Sequence, residues 1–122
     1  MAKHILLIDD DEDEPGLFIN ALEETGIPFI CTWAPGPDEA LRQLKNVRPD
    51  FIVLDFNMPK MNGLELLRLL KATDDLQHIP VIMYSATMGA ELAAKALEAG
   101  AVKCIRKPYS MYELPAILKN FL

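Results

Sequence analysis

Six acids in succession, Asp9-Asp10-Asp11-Glu12-Asp13-Glu14, follow directly on the apolar run Ile5-Leu6-Leu7-Ile8. A second apolar run, Phe51-Ile52-Val53-Leu54, ends in Asp55, a third ends in Ser85, and a mixed run ends in Lys107. If these runs are neighbouring parallel strands, three carboxylates, a hydroxyl and an ammonium meet on one edge of a sheet, where open parallel sheets bind ligands. Carboxylates packed that closely raise one another's pKa unless a cation intervenes. A hard divalent ion with oxygen ligands suits Asp9, Asp10 and Asp55, and Mg2+ leaves coordination positions for water and a phosphoryl group. Beside such an ion, Asp55 is placed as a nucleophile toward phosphorus. Lys107 would supply further positive charge to the phosphoryl oxygens, and the Ser85 hydroxyl would donate to one of them. Asp11, Glu12, Asp13 and Glu14 read instead as a solvated cluster favoured by the dipole of the following helix.

The elements that must position these groups alternate five times. Strand-like runs cover roughly Lys3–Asp9, Pro28–Trp33, Asp50–Asp55, Val81–Ser85 and Val102–Lys107. The first and third are apolar at consecutive positions, as in strands covered on both faces. The last is mixed and suits an edge. Between them, helical spacing joins Leu17, Phe18, Ala21 and Leu22, then Ala40, Leu41 and Leu44 after Pro37. It continues with Leu64, Leu67 and Leu70 after Asn62-Gly63, and with Leu92, Ala93, Ala96 and Leu97 up to Gly100. A final helix opens with Ser110-Met-Tyr-Glu113, a capping box by spacing, and Pro115 should weaken or bend its first turn. The fold expected is α/β, a (βα)5 three-layer sandwich on a parallel five-stranded sheet, with residues 1–122 as one domain.

Composition narrows the function. At 122 residues and 51% hydrophobic, the chain can bury roughly two thirds of its unfolded surface without a staple. A net charge of −6 disfavours nucleic-acid binding. No apolar stretch approaches a membrane span, and no signal peptide is visible. Cys31 and Cys104 make no disulfide framework, which fits a cytoplasmic setting. His4 and His78 form no ligand pair by sequence spacing, and Trp33 reads as partly packed surface.

The chain resembles a response-regulator receiver domain of the CheY-like, flavodoxin-like kind across its whole length. The resemblance rests on the strand ending in Asp9-Asp10, on Asp55-Phe-Asn-Met-Pro59 with Gly63 after it, on Pro80-Val-Ile-Met-Tyr-Ser85-Ala86, and on Lys107-Pro108. It implies strand order 2-1-3-4-5 and Asp55 as phosphoacceptor. It further implies that Asp10 and Asp55 bind Mg2+ directly with the Asn57 carbonyl, that Asp9 acts partly through water, and that Ser85 and Lys107 contact the phosphoryl group. Asn57 and Thr87 stand at the family's dephosphorylation-tuning positions, and the Lys107-Pro108 bond is a candidate for cis. One position departs from the pattern. The family's aromatic switch, three residues before the lysine, is here Cys104, so the usual coupling to output is expected to change.

The resemblance implies a receiver that takes a phosphoryl group from a sensor histidine kinase or histidine phosphotransfer protein, and with no output domain after Leu122 a stand-alone receiver is expected. It would signal to a downstream protein target by conformational change, without being an enzyme in its own right. A homodimer is one of the states open to it. Two other readings compete. A receiver-shaped binding module working without phosphorylation is motivated by Cys104. A haloacid-dehalogenase-type phosphatase would share Asp-x-Asp, Ser and Lys, but Asp13 stands where that class has Thr or Val, and no late acidic pair is present.

Overall fold

A computed structural model describes residues 2–107 and 114–120, Leu114 by its backbone alone. Strands and helices alternate as β1 (Lys3–Ile8), α1 (Glu14–Glu24), β2 (Phe29–Ala34), α2 (Pro37–Leu44) and β3 (Phe51–Leu54). They continue as α3 (Gly63–Ala72), β4 (Val81–Ser85), α4 (Ala90–Glu98), β5 (Lys103–Arg106) and α5 (Leu114–Lys119). All strand pairs are parallel and the order is β2-β1-β3-β4-β5, the arrangement expected. The chain reverses direction across the sheet after β2, which leaves a crevice at the carboxyl ends of β1 and β3.

The consecutive apolar residues of β1, β3 and β4 are buried because successive side chains serve opposite faces. Leu6, Ile8, Ile52, Leu54, Val81 and Met83 join a core with Leu44, Leu66, Leu67 and Leu70 of α2 and α3. Ile5, Leu7, Phe51, Val53, Ile82 and Tyr84 join a second core with Phe18, Ala21 and Leu22 of α1 and Leu118 of α5.

Two helical faces differ from the spacing argument. Leu17 is 43% exposed and Leu97 50% exposed, so α1 buries Phe18, Ala21 and Leu22 alone of the expected four, and α4 fully buries just Ala96. α4 packs beside the edge strand β5, whereas Leu66, Leu67 and Leu70 of α3 join the core shared by β1, β3 and β4. The expected capping box at 110–113 and the Lys107-Pro108 bond lie outside the described residues, as does the turn that Pro115 was expected to bend.

Candidate functional site

The register aligns Ile8 with Leu54 and Leu54 with Met83, so the ends of β1, β3 and β4 lie side by side. Backbone pairing runs one residue past three strands. Asp9 N–H donates to Ala34 C=O at 3.1 Å, Asp55 N–H to Ile8 C=O at 2.9 Å, and Lys107 N–H to Ser85 C=O at 3.0 Å. Asp9, Asp55 and Lys107 are therefore held as rigidly as strand residues while already clear of the sheet. Trp33 adds an anchor, its indole Nε1–H donating to Asp9 C=O at 2.7 Å. The loop after Asp55 is closed by Gly63 N–H donating to Phe56 C=O at 2.8 Å. A Cβ on Gly63 would lie 2.3 Å from the Asp55 carbonyl oxygen, so this close approach requires glycine. Next to it, Asn62 and Glu65 form a capping box that starts α3.

These elements bring the expected side chains together. One oxygen from each of Asp9, Asp10 and Asp55 lies within 4.8 Å of the others, with Asp9 and Asp55 buried and Asp10 exposed. Lys107 Nζ is 2.8 Å from Asp9 Oδ2, 3.7 Å from Glu14 Oε2 and 3.9 Å from Asp55 Oδ1. The ammonium is thus seated on Asp9 rather than on Asp55. The Ser85 and Thr87 hydroxyl oxygens are 3.3 Å apart, and Asn57 Nδ2–H donates to Thr87 Oγ1 at 2.9 Å. Asn57 and Thr87, both exposed, bridge the loops after β3 and β4 beside the acidic cluster.

The electrostatics follow from three carboxylates, Asp9, Glu14 and Asp55, facing one ammonium. Burial and the neighbouring Asp9 push Asp55 up to about 6, against the pull of Lys107 and of a backbone hydrogen bond at Asn57. Burial opposes the charge on Lys107, but the Asp9 hydrogen bond and the charges of Asp9, Asp55 and Glu14 outweigh it and raise its pKa. The donor set is entirely oxygen, crowded and negative, with one member open to solvent. That chemistry fits a hard divalent cation such as Mg2+.

Comparison with protein families matches residues 5–119 to the response regulator receiver domain. The chain belongs to the receiver domain family. The receiver is 32% identical over 122 residues to the polar-differentiation response regulator DivK of Brucella anthropi, covering 100% of this chain and 98% of DivK. It is 36% identical over 119 residues to the phosphate regulon transcriptional regulatory protein PhoB of Klebsiella pneumoniae, covering 98% of this chain and 51% of PhoB. The chain thus spans about half the length of PhoB and nearly all of DivK. Among solved structures, the phosphorylated cyanobacterial phytochrome response regulator RcpA superposes with a TM-score of 0.86 at 27% identity, over 99% of this receiver and 91% of that chain. The receiver domain of a signal transduction histidine kinase from Syntrophus aciditrophicus gives 0.81 at 35% identity, over 99% and 90%.

Glu14 was expected in solvent with the rest of the acidic run, and the receiver places it elsewhere. It is 7% exposed and faces Lys107. Its signal was legible, because residues 14, 18, 21 and 22 share one face of a helix and the last three are apolar. Tyr84, also missed, lies near the end of the interior strand β4 with Lys107 Nζ 5.4 Å from its ring centroid. Cys104 is half-buried, packed against the α2–α3–α4 core with Sγ 3.7 Å from Ala93 C=O.

Proposed function

We propose that this receiver accepts a phosphoryl group on Asp55 from phosphohistidine of a sensor kinase or phosphotransfer protein and passes the signal to a downstream protein in the cytoplasm. The observation that carries this reading is the convergence of Asp9, Asp10, Asp55 and Lys107 at adjoining strand ends. An Asp55 carboxylate oxygen would form a bond to phosphorus while the phosphorus–nitrogen bond of phosphohistidine breaks, its electron pair leaving with the ring nitrogen. Negative charge on the transferred group would be met by the Lys107 ammonium and by the Ser85 hydroxyl. Mg2+ would be held by Asp10 and Asp55 with the Asn57 carbonyl, and by Asp9 partly through water, and when bound it supplies positive charge against the crowded carboxylates and the phosphoryl oxygens. Asn57 and Thr87 flank Asp55 at the surface, where they would govern the approach of water to the acyl phosphate.

The reading is tested by intact mass measurement after incubation with acetyl phosphate. A single phosphoryl adduct is expected with Mg2+, none with a chelator, and none in Asp55→Asn. No adduct on the wild-type chain, or an undiminished adduct in Asp55→Asn, would overturn it. A second reading, a binding module indifferent to phosphorylation, is favoured by Cys104, whose small side chain cannot swing as an aromatic ring would. Partner affinity unchanged by beryllofluoride would support that reading.

A further inference from the structure

The seat of Lys107 carries an inference that rests on the phosphoacceptor reading of Asp55 and refines it. Two groups outside the strand-end set hold the ammonium. Glu14, the first residue of α1, turns a buried carboxylate toward it at 3.7 Å. Tyr84, 2% exposed, lies with its ring 5.4 Å from Nζ, within the range of a cation–π contact. The ring is itself fixed by an edge-to-face contact with Phe18, centroids 5.9 Å apart. Phe18 stands one helical turn after Glu14 on the same face of α1, so a single helix positions both supports. The three carboxylates are not equal rivals for the ammonium: Asp9 holds it at 2.8 Å, while Asp55 is 3.9 Å away.

We propose that Glu14 and Tyr84 are positioning residues that seat Lys107 on the Asp9 side of the cluster, so that the ammonium must leave this seat to engage a phosphoryl group at Asp55. Glu14 acts as a competitor for the one cation that phosphoryl transfer needs from the protein. The Tyr84 ring supplies the floor against which the lysine rests. The seat thereby slows phosphorylation and gives α1, which carries Glu14 and Phe18, a direct hold on the reactivity of Asp55.

Two readouts test it, the first requiring no phosphorylation. In metal-free urea unfolding, the pair Glu14→Gln and Lys107→Gln should be coupled, the double variant departing from additivity by about three- to tenfold in the unfolding equilibrium constant. In the second, initial rates of adduct formation with acetyl phosphate should rise about three- to tenfold in Glu14→Gln when Lys107 is present, and by less than about twofold in the Lys107→Gln background. Tyr84→Leu should likewise raise the rate about three- to tenfold when Lys107 is present and by less than about twofold without it, while Tyr84→Phe, which keeps the ring, should react at the wild-type rate. Additive unfolding effects would overturn the seat. Equal rate increases in both backgrounds would also overturn it, by assigning the effect to the general field of a removed charge. Failure of the phosphoacceptor reading looks different: unfolding coupling persists while no adduct forms on the wild-type chain, and the claim that the seat restrains phosphorylation falls with it.

Discussion

Asp55 carries a cost in the metal-free fold. Its carboxyl is raised from 3.8 to about 6 by burial and by Asp9, so the folded state binds a proton more tightly than the unfolded chain between those values. Well below pH 4 the group is neutral in both states and contributes nothing. Between about pH 4 and 6 the unfolded chain releases the proton while the folded state still holds it, so stability falls across that window and levels off as pH rises past 6. Asp55→Asn should therefore be more stable than the wild type at pH 7 by on the order of 1–3 kcal/mol, with the difference vanishing by about pH 3. Urea unfolding of both proteins across that pH range, with chelator present, checks this, and a difference independent of pH would refute it. The residues behind this behaviour were legible to different degrees. Asp9, Asp55 and Ser85 announce themselves because each ends an apolar run, and Lys107 because it ends the mixed fifth run; a polar side chain there must meet the crevice. Glu14 was legible only through the helix face it shares with Phe18, Ala21 and Leu22, a signal easily passed over inside a run of acids. The support of Tyr84 was hidden because an aromatic residue in a central strand reads as core, and the lysine that rests on it is 23 residues away in the chain.

At the scale of elements, the loop from β3 to α3 is the tightest constraint on the site. Gly63→Ala would press a methyl group on Asp55 C=O and on Phe56 Cα, 2.8 Å away, and neither backbone atom can step aside without moving Asp55. Destabilisation of about 1–3 kcal/mol is expected, and a slower acetyl phosphate reaction with it, measurable by urea unfolding and adduct mass. The helices contrast with one another. α3 buries Leu66, Leu67 and Leu70 and carries a complete capping box, whereas α4 buries only Ala96 and leaves Leu97 half exposed. Native-state hydrogen exchange should show α4 amides exchanging faster than those of α3, and equal protection would contradict the packing argument. Here the sequence was a partial guide. Existence and order of these elements followed from apolar runs and helical spacing, with strand ends correct to within a residue. The burial of individual helix faces did not, because Leu17 and Leu97 satisfy the spacing yet depend on how far the sheet extends beneath their helix.

For the whole molecule, two apolar cores clamp a parallel sheet whose carboxyl edge is left to the acids and Lys107. Among the described residues no helix is long and apolar enough to cross a membrane. The receiver architecture was legible because both-face burial of β1 and β3 demands helices on each side, and five alternations admit few topologies. Output was not legible. Cys104 sits where the family's moving aromatic is expected, and its thiol is packed toward α4 with burial raising its pKa. On the proposed phosphoacceptor reading, the signal would start from the charge change at Asp55 and the release of Lys107 from Asp9, Glu14 and Tyr84. The most direct test is to treat the chain with acetyl phosphate and Mg2+, reduce the acyl phosphate with borohydride, and sequence the peptides by mass spectrometry. The account predicts homoserine at position 55 and at no other aspartate. Reduction at Asp9 or Asp10 instead, or at no residue, would contradict it.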